Sequence, residues 1–329
     1  MLKSIEHYDE RRDHIPSAIS DLDADVVCLQ EVWFEDDVKK IIKETRDSFP
    51  SSYSALHDDN GDLDTGNFNK PLCFGFRAYK RILCSLTKCS NTANNAEYIA
   101  CAAERCGLMK LDQKCISCLI LTPASSILQT CITDITQTVN SPGLLLLSKS
   151  PLRNPSTTRY IPDTKQVLPR SYLMADVERI GKVVCTHLTS NLGEYYEPLL
   201  SFASWEEQQA EEVDHLLTLT APMTQVVLMG DLNTGPENAE NGITGEFEEN
   251  YNLLTSEGLS SLYNEDPGLC TWCKENPITD QSYNVRLLLD HVMVKGMNAV
   301  SAQRLLDDNI EGQSFPLSDH YAVGVTVDV

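Results

Sequence analysis

Several absences narrow the class of this chain. No apolar run approaches the roughly 20 residues of a membrane span, and LLLL at Leu144–Leu147 has only the length of a strand. The opening stretch, MLKSIEHYDERRD, has no apolar core of the kind a signal peptide carries. There is no internal repeat and no low-complexity tract, so neither a solenoid nor a biased tail is expected. Positive charge is scarce: 26 Lys+Arg stand against 48 Asp+Glu, a net charge of −22. This argues against a general polyanion binder, whose affinity rests on many Lys/Arg–phosphate contacts, and leaves room for a local basic site. A Ser or Cys nucleophile elbow is also lacking. CTWC at Cys270–Cys273 is a CxxC, but it follows Pro-Gly in a loop instead of opening a helix.

What is present fits one large α/β domain over residues 1–329, with a core that needs no cross-links. Eight of the twelve cysteines nevertheless fall between Cys73 and Cys131. Such clustering suggests a disulfide-stapled insertion made in an oxidising compartment. The spacing from Cys101 to Cys118 also allows zinc, and free thiols are the third option. Cys28 and Cys185 lie inside apolar strands and read as buried thiols. Two windows, Thr65–Asn95 and Ser141–Tyr172, are basic, which could turn one face toward an anionic substrate or lipid surface.

Along the chain, DVVCLQEVW (Asp25–Trp33) reads as a buried strand and FEDDVKKIIKETRDSF as the amphipathic helix after it. SYLMADVERIGKVVCTHL predicts a hairpin turning near Ile180 and Gly181. SWEEQQAEEVDHLLTL predicts a helix capped by Ser204. Strands and helices alternate, which favours an α/β sandwich, while residues 84–140 read as a Cys-rich insertion. DDNGDLD (Asp58–Asp64) has alternating oxygen side chains, but Leu63 and Asn69 stand where an EF-hand needs Gly and Glu, so it reads as a polar turn.

One pattern repeats five times: an apolar strand delivers a polar side chain at its end. Glu31 follows VVCLQ, His187 follows VVCT, Asp231 and Asn233 follow VVLMG, and Asp290 follows RLLL. Asp319 and His320 precede the last strand. Functional groups commonly sit at such strand ends. Acids are hard ligands for Mg²⁺, Mn²⁺ or Ca²⁺. Two histidines supply a general base and acid near neutral pH, and a carboxylate such as Asp290 can orient one of them. Asn233 can donate to a phosphoryl oxygen as its charge grows. Together they point to metal-assisted attack of water on a phosphate ester.

LQE, THL, GDLN, LDH and SDH occur here in the order used by the endonuclease/exonuclease/phosphatase superfamily, the deoxyribonuclease I-like fold, which the chain resembles outside its Cys-rich insertion. The resemblance implies a four-layer α/β sandwich of two mixed β-sheets flanked by helices, with the site at the sheet edges. Carried over, Glu31 is a metal ligand and Asp319 a supporting acid near the metal, with Mg²⁺ expected and Mn²⁺ or Ca²⁺ as alternatives. His320 becomes the general base paired with Asp290. Asp231 and Asn233 position water and phosphate, and His187 assists the phosphate or leaving group.

QEVWFEDDVKKIIKETRDSFP looks like the neutral sphingomyelinase branch of that superfamily. CTWCKENP is similar to its Thr-Trp-Asp…Asn segment, with Cys273 in place of the Asp. The branch implies an enzyme that cleaves a sphingolipid or other phospholipid headgroup at a membrane surface; a monomer is expected, and the Cys-rich insertion makes a secreted or extracytoplasmic location the expectation. A deoxyribonuclease-like endonuclease acting on nucleic acid is the alternative, and a degenerate non-catalytic secreted protein is a third. The family's fold opens with a strand ending in a metal-site Asn, and no suitable Asn stands upstream of Glu31. The expectation is that the first strand, with any signal peptide, is missing from this chain.

Overall fold

Apolar runs bounded by turns form the strands, and runs of helical period cover the sheets they build. The computed structural model describes residues 6–58, 60–63, 70–92, 95–136, 138–193, 202–279 and 284–328. The elements begin with α1 (Tyr8–Ser20), β1 (Val26–Leu29), α2 (Glu35–Thr45) and β2 (Ser51–Ser54). A helical segment follows, with α3 (Phe76–Lys88), α4 (Asn95–Cys106) and α5 (Gln113–Leu121). Next come β3 (Leu145–Ser148), β4 (Leu152–Arg159), β5 (Ser171–Val177), β6 (Gly181–His187), α6 (Trp205–Thr220) and β7 (Val226–Asp231). The rest comprises α7 (Glu248–Ser256), α8 (Leu262–Glu265), β8 (Trp272–Cys273), β9 (Arg286–Leu287), β10 (Asp290–Lys295), β11 (Asn298–Leu305) and β12 (Ala322–Asp328).

Sheet order is β1-β3-β2 in the smaller sheet and β10-β7-β6-β5-β4 in the larger, with β11-β12 and β8-β9 as separate pairs. The larger sheet is mixed, since β6 and β7 run parallel and its other pairs antiparallel. Strand alternation assigns each side chain to a layer. Leu145 and Leu147 of β3 pack under Ile19, Val38 and Ile41 from α1 and α2. Leu144 and Leu146 instead meet Leu173, Val183 and Val227 of the larger sheet. On that sheet's far face, Val184, Val226 and Leu228 pack against Val213 and Leu216 of α6 and Leu254 of α7. The result is four layers, helices–sheet–sheet–helices. VVLM is apolar at every position because β7 is covered on both faces. Each such Leu or Val contributes about 1.5–3 kcal/mol by leaving water.

The expected hairpin forms, with β5 and β6 paired from Ser171↔His187 to Val177↔Gly181. Ser204 caps α6, its side chain accepting the Glu207 N–H. Asp58 Oδ1 accepts the N–H groups of Asn60 and Asp62, a polar turn; Asp64 and Asn69 lie outside the described residues. All twelve cysteines are paired in six disulfides. The eight between Cys73 and Cys131 pair among themselves, 73–115, 84–106, 89–101 and 118–131. Their sulfurs are therefore not zinc ligands. The expectation of buried thiols at Cys28 and Cys185 is corrected: the two are bonded across the core, with Cα atoms 5.5 Å apart. Apolar neighbours disguised them, because a disulfide is itself an apolar core group.

Candidate active site

Strand register builds the site. In the parallel pair His187 of β6 stands opposite Asp231 of β7, and in the antiparallel pair Asp290 of β10 stands opposite the same Asp231. Three adjacent strands thus end in one row, His187–Asp231–Asp290. Gly230 permits the row to close, since a Cβ there would lie 1.9 Å from the Thr186 carbonyl oxygen. Beyond the row, Asn233 turns back at φ 48°, a left-handed conformation that Asn tolerates better than most residues. Its N–H is bound by Asp231 Oδ1 at 2.9 Å, and its side-chain amide donates to the Leu188 carbonyl at 2.9 Å. Glu31 also has positive φ, 59°, a conformation rare for Glu and typical of functional positions.

His320 joins the row from the segment before β12: its Nδ1 lies 2.8 Å from Asp290 Oδ2, which leaves Nε2 for another partner. Burial opposes a charge on His320, but Asp290, Asp231 and Asp319 outweigh it and raise its pKa well above the ordinary imidazole value. Burial pushes Asp231 up, yet His187, His320 and the Asn233 N–H more than compensate and hold it below the ordinary carboxylate range.

His187 Nε2 is 3.2 Å from Asp231 Oδ2, and Nη1 of the buried Arg170 is 2.9 Å from His187 Nδ1. Arginine has no acceptor, so Nδ1 must accept. His187 is then the neutral tautomer that donates its Nε2–H to Asp231. Sequence reasoning missed Arg170, although counting back along the hairpin places it next to the residue opposite His187. It also missed the supports on α6. Gln209 donates to the carbonyls of Thr189, Leu232 and Asn233, and Glu212 accepts from the Thr189 N–H and hydroxyl. Burial raises the Glu212 pKa to about 7.

CTWC proves to be structural support for the dyad. Thr271 Oγ1 accepts the N–H groups of Leu289 and Asp290, and its carbonyl accepts that of Tyr321. Asn276 donates to the Ser318 carbonyl, and a Cys270–Cys273 disulfide occupies the position where the resembled segment has an Asp. The Cys-rich helices reach the rim: Gln113 and Gln166 exchange two hydrogen bonds, at 2.7 and 3.1 Å. Lys165 donates to the Leu111 carbonyl. Lys165, Gln166, Thr189, Trp205 and Gln208 line a cleft beside Arg170.

The model of the Endonuclease/Exonuclease/phosphatase family matches residues 3–320. The chain belongs to that family. Members are generally metal-dependent hydrolases of phosphoester bonds. No curated protein sequence matches the chain. Among solved structures, an endonuclease/exonuclease/phosphatase from Beutenbergia cavernae is similar at 16% identity and TM-score 0.55, over 96% of this chain. This chain spans only 65% of that protein's length. A family protein from Leptotrichia buccalis matches at 14% identity and TM-score 0.53, over 100% of this chain and 96% of its own. SmcL matches at 14% identity and TM-score 0.50, over 95% of this chain and 90% of its own. At such identities the likeness establishes the fold.

The donor set suits the family's divalent ion. Ligand atoms of Asp231, Asp290 and His320 lie within 4.8 Å of one another, two hard carboxylates and an imidazole. Glu31 and Asp319, the ligands expected from the resemblance, are not in that group; both share the field of Arg11. Arg11 is 1% exposed, with Nε on the Glu6 carbonyl and Nη1 on that of Leu317.

Proposed function

We propose that this protein is a Mg²⁺-dependent phosphodiesterase of the sphingomyelinase type, which hydrolyses a phospholipid headgroup outside the cytoplasm. The observation that carries the reading is the single row His187–Asp231–Asp290 with His320 held on Asp290. Glu31 and Asp319 are the proposed metal ligands. The metal, when bound, neutralises charge on the phosphate and supplies several kcal/mol of transition-state stabilisation. The chain's own groups do the rest. Asp290 fixes the His320 ring through Nδ1 and leaves Nε2 to face the attacking water; the carboxylates that favour a charged His320 would share their charge with a bound cation, which would lower that pKa and let Nε2 take the proton. Asp231 holds the Asn233 loop and, with Asn233, orients water and phosphate. His187 is locked by Arg170 as an Nε2–H donor; it holds Asp231 in the substrate-free site and would turn that N–H to the phosphate or the leaving oxygen when substrate binds. The lipid choice draws on the sphingomyelinase-like motifs and on the net charge of −22, which disfavours duplex DNA. The twelve paired cysteines favour an oxidising compartment.

The test is turnover by the purified protein, with and without EDTA, on sphingomyelin vesicles, plasmid DNA and a chromogenic phosphodiester. EDTA-sensitive loss of sphingomyelin with intact plasmid is expected. Plasmid nicking with intact lipid would replace this reading with the endonuclease, and no turnover on any substrate would favour a non-catalytic protein.

A further inference from the structure

Helix α3 has an apolar seam that the fold uses and another that it leaves in water. Ala78, Ile82 and Ser85 are buried on the inner side. On the outer side stand Phe76 at 80%, Tyr79 at 50% and Leu83 at 48% exposure, preceded by Phe74 at 61%. These are four of the nine large apolar residues exposed among the described residues, gathered within ten positions. The charge around them is equally uneven. From Lys70 to Lys88 the chain has five cations and no acid, although the whole carries −22. Arg81 is used internally, donating to the carbonyls of Cys106 and Gly107. Among the described residues no acid pairs with Arg77, Lys80 or Lys88, and Lys70 Nζ sits 5.2 Å from the Phe74 ring centroid.

We propose that this outer face of α3 is a docking surface for an anionic lipid bilayer. Aromatic rings with Lys and Arg at their margins suit the headgroup–acyl boundary, where the rings leave water and the cations meet anionic headgroups. An exposed apolar patch rimmed by charge marks an interaction site. Disulfides 73–115, 84–106 and 89–101 fix the helix to its neighbours, so docking orders little that was free beforehand. A single-stranded nucleic acid could also stack on aromatics, but it needs a groove to track its backbone, and a lone helix face that ends in the aliphatic Leu83 is a ridge. The surface works independently of the hydrolytic site, so its test uses vesicles that contain no sphingomyelin.

The experiment is co-sedimentation of the full chain with phosphatidylcholine vesicles, with and without 30% phosphatidylserine, at low and high salt. Expected are binding that requires phosphatidylserine and weakens with salt, and a loss of at least about tenfold in both F74S/F76S/Y79S and R77E/K80E. Both variants should keep the wild-type melting temperature, because every altered side chain is exposed. Their turnover of a soluble phosphodiester should be unchanged. Equal sedimentation of variants and wild type, or no sedimentation of wild type, overturns the proposal. Retention of wild type on immobilised oligothymidylate without vesicle binding reassigns the face to nucleic acid.

Discussion

Between its sheets the protein buries Leu146, Leu173, Val183 and Val227 and spans the contact with one disulfide, Cys28–Cys185. Between Cys73 and Cys131, short helices bury Ile82, Ile99, Ile116 and Leu121 and close on four. Size explains the contrast. The sandwich encloses wide two-sided layers, whereas helices of 9–13 residues are marginal alone and enclose a small core. Cross-links of 12 to 42 residues' separation offset that deficit by about 3–4 kcal/mol each in the chain-entropy view. A segment held by sulfur can leave apolar residues outside, and five of the nine large ones exposed among the described residues belong to it: Phe74, Phe76, Tyr79, Leu83 and Leu128. The proposed chemistry lies on the sandwich, and the proposed docking surface lies on the stapled helices.

The sharpest way to break this division is at the row of strand ends. Replacing His320 by Ala should reduce hydrolysis of a soluble phosphodiester by about 10³-fold or more, with the far-ultraviolet spectrum and melting temperature preserved. Activity within tenfold of wild type would remove His320 from the reaction. Next in size is the core. Leu173→Ala should cost about 2–5 kcal/mol in a global denaturant titration. Joint replacement of Cys118 and Cys131 by Ala should cost about 3 kcal/mol, with amide exchange accelerated in the helical segment and not in β5–β7. Exchange that rises equally in both regions would mean that they unfold as one unit.

A smaller effect tests the support beneath the row. Glu212 has its pKa raised to about 7 from 4.5, so the folded state holds its proton more tightly. The stabilisation is complete below pH 4.5 and is lost as pH rises through 7, on the order of 3 kcal/mol at most. Glu212→Gln should flatten the decline in melting temperature between pH 5 and 8; an unchanged slope would assign the titration elsewhere. Smallest is Arg170→Met, which frees His187 to exchange tautomers. About tenfold should be lost in kcat with little change in KM, and the His187 ring nitrogen resonances should shift toward a mixture. Unaltered ring resonances would contradict the assigned tautomer.

The strands, the main hairpin, the α6 cap and the family could all be read from residue patterns, because apolar period and polar strand ends are local signals. What was hidden is tertiary. Nothing near Arg170 announces that it faces His187; the β5–β6 register does. Gln209 and Glu212 look like solvated helix residues beside Glu206 and Glu211, yet both are fully buried, since α6 crosses the loops after β6 and β7. Thr271 reads as a loop hydroxyl until β10 and the His320 segment are brought against it. Cys28 and Cys185 each fit an apolar strand, and only the facing of the two sheets makes them partners.

That same bond imposes an order on assembly. It joins residues 157 apart in sequence, and the closed loop contains the entire stapled segment. The pairs within the segment, 12 to 42 apart, lie on chain that is synthesised before β6. Each closes a short loop, whereas Cys28 must wait for β6 to dock against the finished smaller sheet. An oxidising environment that acts while the chain is still emerging therefore finds the local partners first. Cys28, held without its mate while the four local pairs close, is the thiol through which a wrong pairing would most readily enter.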